Sequence, residues 1–99
     1  MSAYLILDID VTNQELYAEY VARATSIIES AGGRHLVRGG SVTRLSGEWH
    51  PKRLVAIEFK TVEQARQCFA STEHLEIAPL REQAAISRAI IVEGYSPPQ

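Results

Sequence analysis

The first apolar stretch of the chain alternates in a way that predicts a β-strand. From Tyr4 to Asp10 successive residues fall on opposite sides of an extended backbone, the period of two that is typical of strands. Asp8 shares a face with Tyr4 and Ile6, and the other face is wholly apolar. Neither face of this strand is therefore entirely polar.

A helix is predicted directly after this strand. Thr12 and Glu15 have the spacing of a capping box, in which both side chains satisfy free amide groups at a helix start. Gly32-Gly33 ends the helix, because glycine adopts the left-handed conformation without a Cβ clash. Between these ends one apolar stripe recurs at helical spacing, and its members are interpreted as core: Leu16, Tyr17, Tyr20, Val21, Ala24, Ile27, Ile28 and Ala31.

The middle of the chain predicts a hairpin and a second helix. Arg34 to Leu45 is interpreted as one extended segment with a bulge at Gly39-Gly40. Ser46 to Pro51 is the turn, and Arg53 to Phe59 is the returning strand. Thr61 to Gln64 is a second capping box that opens a short helix.

The last third of the chain predicts a broken helix and a final strand. A helical turn starts at Ser71, and Pro79, which lacks an N–H, is placed as the first residue of a further turn through Ala85. Arg88 to Tyr95 is the closing strand, and residues 96–99 are expected to fray as a C-terminal tail.

This order of elements predicts a single α+β domain over residues 1–95. Strand, helix, strand, strand, helix, strand is the βαββαβ order of a ferredoxin-like sandwich, in which a four-stranded antiparallel sheet has helices on one face. Right-handed crossovers place the first and third strands in the centre. The other sheet face would expose much apolar surface, so a second copy of the chain is expected to cover it across a two-fold interface. Its apolar residues are predicted to be Tyr4, Ile6, Leu36, Leu54, Ala56, Ala89 and Ile91.

Composition and charge exclude several partner classes. The 99 residues are 45% hydrophobic and 22% charged with a net charge of −2, which gives no field for nucleic acid or an anionic membrane. The first residues contain no signal core or membrane span. Cys68 is the single cysteine and is expected to be a buried, inert thiol. A cytoplasmic location is the expectation.

Four charged residues are predicted on the uncovered sheet face. Alternation places Asp8, Arg38, Glu58 and Glu93 there, Glu93 toward the far end. A hairpin symmetric about Glu48 would set Arg38 opposite Glu58, and central strands treated as parallel would bring Asp8 near Glu58. Two hypotheses remain open for this cluster. In the first, it is a buried ion pair that fixes the register of the strands and of the dimer. In the second, it binds a polar ligand, and one carboxyl with a raised pKa acts as general acid or base.

Histidines and tryptophan complete the candidate site residues. No two of His35, His50 and His74 have the spacing of a helical metal site, so neither a metal nor a cofactor is expected. His35 and His74 are favoured as pocket-rim or packing residues over catalytic ones, and His50 as a solvated residue. Trp49, in the predicted turn, packs either on its own hairpin or on a partner subunit, and the partner is favoured.

The strings Gly32 to Gly40, Gly47 to Arg53 and Ile57 to Phe59 resemble the family designated domain of unknown function 1330, in the dimeric α/β-barrel superfamily. The likeness extends from Tyr4 to about Tyr95. It implies a βαββαβ protomer whose sheet closes into a barrel across a dimer, with a cavity between sheet and helices. His74 departs from the family pattern, which usually has tyrosine there. The motif positions expected at a site are Arg38, Trp49, Arg53, Glu58 and Arg81.

The sequence supports two hypotheses for the function. In the first, the protein is a dimer that binds a small anionic or carbonyl-bearing metabolite through Arg38 or Arg81. If this dimer is an enzyme, it performs cofactor-free oxygenation or isomerisation, with Glu58 or Asp8 as the base. The second is a non-catalytic assembly or stress-associated protein whose charges only fix dimer register. The first predicts a solvent-connected cavity beside Arg38, and the second predicts a fully paired Arg38.

Overall fold

The structure is a computed structural model that describes residues 2–97 of the chain. Pro98 and Gln99, part of the predicted tail, lie outside the described residues. Within them, no helix has the length and apolar character needed to cross a bilayer. The elements follow one another as β1 (Ala3–Val11), α1 (Gln14–Ser30), β2 (Arg34–Arg38), β3 (Arg53–Phe59), α2 (Val62–Ala70), α3 (Thr72–Ala84) and β4 (Ala85–Glu93).

The four strands form one antiparallel sheet in the order β2-β3-β1-β4. The predicted α+β, ferredoxin-like fold is confirmed, with β1 and β3 in the centre. The molecule is only 16 Å across in its shortest direction, which leaves room for one sheet and one layer of helices.

The core lies between the helices and one face of the sheet. Leu5, Leu7 and Ile9 are buried on β1, whereas the residues between them are half-buried on the open face. Phe59 and Ile77 are each 1% exposed, and burial of such a side chain contributes about 1.5–3 kcal/mol. Apolar packing on this one face therefore holds the helices to the sheet.

Helix α1 begins one residue later than predicted. Asn13, not Thr12, is the N-cap, and its side-chain oxygen accepts from the Leu16 amide at 3.1 Å. The Thr12 amide donates to the Ala84 carbonyl at 2.8 Å, so Thr12 follows the end of β1 and does not cap the helix. The predicted end is confirmed, because Gly32 has φ +91° directly after the helix.

A single helix, α3, replaces the predicted broken helix. Pro79 lies inside it and cannot donate to the carbonyl one turn earlier, that of Leu75. Leu75 is 58% exposed, so water can hydrate this carbonyl and the helix continues. The predicted new start at Pro79 is therefore wrong.

The strand β2 is much shorter than the predicted segment from Arg34 to Leu45. It ends at Arg38, and residues 39–52 form an irregular loop. A bulge lies between His35 and Val37, earlier than the predicted bulge at Gly39-Gly40. As a result Arg34 lies opposite Glu58, and Arg38 lies opposite Val55. The predicted pairing of Arg38 with Glu58 is wrong, because an extra residue shifts the register.

The central strands β1 and β3 are antiparallel, so the predicted proximity of Asp8 and Glu58 is also wrong. Tyr4 pairs with Glu58, and Asp8 pairs with Leu54. The two carboxylates are thus four register positions apart, about 13 Å along the strands.

The residues of β4 that lie on the open face are the even-numbered ones. Val92 pairs with Tyr4, and Ile90 pairs with Ile6, so Arg88, Ile90 and Val92 share the open face with the even residues of β1. The predicted set Ala89, Ile91 and Glu93 is wrong. The apolar run 89–92 has no polar alternation that could reveal which residues face outward.

Candidate ligand-binding site

A cleft opens between the covered sheet face and helix α1. Its floor consists of Leu7, Ile9, Val55 and Ile57, at the centre of the sheet. Its empty volume is about 450 Å³ including the open mouth, of which about 40 Å³ is roomy enough for the centre of a water molecule. The narrow part therefore has room for a few water molecules or for one small group of a ligand, whose remainder would extend into the open mouth.

Two tyrosines of α1 form the wall of this cleft. Tyr17 and Tyr20 lie one turn apart and are 8% and 6% exposed, and their ring centroids are 6.2 Å apart. Burial raises the pKa of Tyr20, although the nearby Arg81 opposes this shift. The Tyr20 phenol therefore stays protonated at neutral pH, and the wall is an aromatic surface that carries two hydroxyl groups.

Each tyrosine ring has a guanidinium group near its face. Arg53 lies 5.3 Å from the Tyr17 centroid, and its Nε donates to the Tyr17 hydroxyl at 3.2 Å. Arg81 of α3 lies 5.8 Å from the Tyr20 centroid. An aromatic face attracts a cation without neutralising it. Arg53 and Arg81 are therefore held at the cleft with their charge intact.

Arg38 stands at the cleft mouth because of the bulge in β2. The extra residue brings His35 and Arg38 to the same side of the strand, and both line the cleft. Nη2 of Arg38 donates to the Thr25 hydroxyl of α1 at 2.8 Å. Burial, then the charge of Arg38, lowers the pKa of His35. Arg38 is thus tied to a neutral hydroxyl and beside a neutral imidazole.

The cleft is cationic within the described part of the chain. Ion pairs in residues 2–97 join Arg34 to Glu58, Lys52 to Asp10 and Arg88 to Asp8, and none of them includes Arg38, Arg53 or Arg81. A guanidinium beside an apolar floor favours an anion as its partner. Three such groups around one small cleft favour an organic anion.

Gly39 leaves the space that the Arg53 side chain occupies. Its φ is +73°, and a Cβ built there would collide with the Arg53 guanidinium. Its amide donates to the Leu54 carbonyl at 3.0 Å, which continues the β2–β3 pairing by one bond. Gly39 therefore lets the loop pass close to the cleft arginine.

His74 is buried behind the tyrosine wall of the cleft, where it contacts Tyr20. It is 2% exposed, and its Nε2 is 2.9 Å from the Tyr20 hydroxyl. Burial, then the positive charge of Arg81, lowers its pKa, although the Phe69 carbonyl slightly opposes this shift. Nδ1 makes no hydrogen bond of ordinary geometry. His74 is thus a neutral group that holds Tyr20 in place.

Asp8, Glu58 and Trp49 lie on the other side of the sheet from the cleft. Asp8 accepts from Trp49 Nε1 at 3.0 Å and from Arg88 at 2.8 Å, and these bonds, Trp49 first, lower its pKa. Asp8 is therefore ionised, contrary to the raised pKa considered for a general acid. Trp49 is 61% exposed over this open face.

Glu58 has its own partners at the far end of that face. It accepts from Arg34 at 2.9 Å and from the Tyr4 hydroxyl at 3.4 Å. Of the candidate residues predicted from sequence, the cleft brings together Arg38, Arg53, His35 and Arg81, with His74 behind its wall. The cleft does not include Asp8, Glu58 or Trp49.

Two other expectations concern metal and thiol chemistry. Residues 2–97 contain no group of three or more His, Cys, Asp or Glu side chains placed to hold a metal ion. Cys68 is buried as predicted, and burial raises its pKa, which keeps the thiol protonated and unreactive.

The sequence matches the profile of a known protein family. A profile of the domain of unknown function (DUF1330) family matches residues 2–95. The chain belongs to the DUF1330 family. A search of curated proteins finds no significant match.

Solved structures similar to this DUF1330 chain share its fold. RPA0582, a protein of unknown function from Rhodopseudomonas palustris, has a TM-score of 0.78 at 20% identity, over 97% of this chain and 84% of that chain. SnoaB, a cofactor-independent oxygenase from Streptomyces nogalater, has a TM-score of 0.68 at 15% identity, over 97% and 95% of the two chains. These identities support the fold alone.

Sequence reasoning missed the role of the tyrosine wall in this DUF1330 chain. Tyr17 and Tyr20 were interpreted as core because they lie on the apolar stripe of α1. Their hydroxyl groups were the available signal, since a buried phenol needs a polar partner. Those partners, Arg53 and His74, come from β3 and α3.

The lowered pKa of His74 predicts a pH dependence of stability. The unfolded chain takes up a proton near pH 6.5, whereas the folded chain resists it, so the stabilisation is complete above about pH 6.5 and is lost as pH falls below it. The test is to measure the free energy of unfolding of wild type and His74→Gln by urea titration from pH 7.5 to 5. The slope of this free energy against pH should be smaller in His74→Gln, by up to about 1.4 kcal/mol per pH unit. An unchanged slope would contradict a neutral His74.

Proposed function

We propose that this DUF1330 chain forms a homodimer that binds a small organic anion, a carboxylate or an enolate-like carbonyl compound, in the cleft between sheet and helices. The observation that supports this most strongly is the set of Arg38, Arg53 and Arg81 around one apolar cleft, with no carboxylate partner among residues 2–97. The anion would complete the charge balance of the cleft.

The alternatives predicted different environments for Arg38. A protein whose charges only fix dimer register predicts a fully paired Arg38 and a closed interior. Arg38 instead donates to Thr25 at the mouth of an open cleft. This geometry supports binding over a purely structural role for Arg38, although the pairs Asp8–Arg88 and Glu58–Arg34 remain suited to fixing register.

The apolar open face of the sheet supports the homodimer. Ile90 and Val92 are 62% and 44% exposed, and half-buried Ile6, Leu54 and Ala56 lie beside them. Water would contact this whole patch in a single subunit, which soluble monomers rarely allow. A second copy offers the same apolar shape, and the two-fold contact is self-complementary.

A second candidate function is cofactor-free oxygenation or isomerisation of the bound anion. Its support is the fold shared with SnoaB, a cofactor-independent oxygenase, together with the Tyr20–His74 pair at the cleft wall. A neutral imidazole bonded to a phenol can accept and return a proton. In this proposal Arg38 and Arg53 stabilise the enolate-like charge.

The binding proposal is tested with two arginines of one strand. Arg38→Gln should weaken binding of butyrate by about 10-fold or more, since it removes a charge-assisted hydrogen bond. Arg34→Gln, four residues away on the open face, should leave it unchanged. NMR titration with butyrate, with neutral butyramide as the ligand control, measures both.

Absence of butyrate binding to the wild-type protein, together with that of a wider panel of small carboxylates and quinones, would refute the binding proposal. Equal effects of the two substitutions would refute the role of Arg38.

The homodimer is tested by placing a charge on the open face. Ile90→Glu should shift the protein from dimer to monomer in sedimentation equilibrium at micromolar concentration, because a carboxylate would be buried between the sheets. Leu75→Glu, at a similarly exposed position on the helix layer, is the matched control and should stay dimeric. A folded wild-type monomer would refute this part of the proposal.

A further inference from the structure

We infer that the cleft selects ligands with two anionic groups separated by a short apolar segment. This inference rests on the proposed anion-binding function and names the substrate class of that site. It follows from how the three arginines are distributed over the elements around the cleft.

Two of the arginines belong to one end of the cleft. Arg38 ends β2, and Arg53 begins the neighbouring strand β3. Gly39, directly after Arg38, packs against the Arg53 guanidinium and bonds to the Leu54 carbonyl. Thr25 and Tyr17 of α1 hold the two side chains as hydrogen-bond acceptors. This side of the cleft therefore offers two guanidinium groups from neighbouring strands, each of which can form a charge-assisted hydrogen bond with a carboxylate.

The third arginine belongs to the other end. Arg81 comes from α3 and also contacts a groove over Leu5, Leu7 and Ile91, residues of β1 and β4. Arg81 therefore approaches the cleft from the β1 and β4 side, with its guanidinium over Tyr20, whereas Arg38 ends the edge strand β2 and bonds to Thr25. The strands β1 and β2 are two strand spacings apart, about 10 Å, so a ligand with an anionic group at each end suits the two sides.

Only apolar groups form the floor between the two ends. Leu7, Val55 and Ile57 line it, and they offer no partner to a polar group in the middle of a ligand. A second anionic group reaching Arg81 would find a cation that makes no ion pair within residues 2–97. The arrangement suits a short dicarboxylate or a similar two-ended anion.

The test compares each diacid with its own monomethyl ester, which has nearly the same shape and one charge fewer. Succinate, glutarate and adipate are titrated against the intact protein at pH 7.5 by NMR, each beside its ester. We expect at least one diacid to bind about 10-fold or more tighter than its ester. In Arg81→Gln this preference should disappear, whereas the affinity for the ester should change by less than about threefold. Arg23→Gln, an exposed position of α1, should preserve the preference.

The outcomes separate this inference from the proposed function. Equal binding of diacids and esters, with both weakened by Arg38→Gln, would overturn two-ended recognition and leave anion binding intact. A preference that survives in Arg81→Gln would overturn the assignment of the second end to Arg81. No binding of any carboxylate would overturn both proposals. The wild-type comparison decides the matter even if Arg81→Gln does not fold.

Discussion

The site depends on positive charge that is held beside an apolar surface and has no carboxylate partner within residues 2–97. Desolvating a guanidinium group costs free energy unless it is hydrogen-bonded or paired. The ring faces of Tyr17 and Tyr20 and the hydroxyls of Tyr17 and Thr25 satisfy the cleft arginines only in part, because these groups are neutral. The remaining attraction is available to an anion, and this is why we propose that the cleft binds one.

The two faces of the sheet differ in whether their charged side chains are paired. The covered face has the apolar floor and the cationic cleft, whereas the open face has its charges paired as Asp8–Arg88 and Glu58–Arg34 around exposed Ile90 and Val92. Paired charges at the rim of an apolar patch are typical of an interface, where they set orientation. In the proposed function, ligand binding and assembly would therefore use different sets of arginines.

The sequence predicted the elements well and their register poorly. Periodicity located α1 and β3, because a regular apolar pattern reflects burial of one face. It placed Arg38 on the wrong side of the sheet, since a one-residue bulge reverses which side chains face the helices. It also placed Asp8 beside Glu58, a mistake that only strand direction corrects. The arginines that line the cleft are among the motif positions predicted from sequence, but their tyrosine partners come from distant parts of the chain.

Anion binding in the cleft can be observed directly in crystals of the protein. Crystals soaked in sodium bromide and measured at the bromine absorption edge would show where a small anion binds. We expect a bromide ion in the cleft, in contact with the guanidinium group of Arg38 or Arg53. A cleft without bromide, in which these arginines instead pair with carboxylates of the same or a neighbouring subunit, would contradict it.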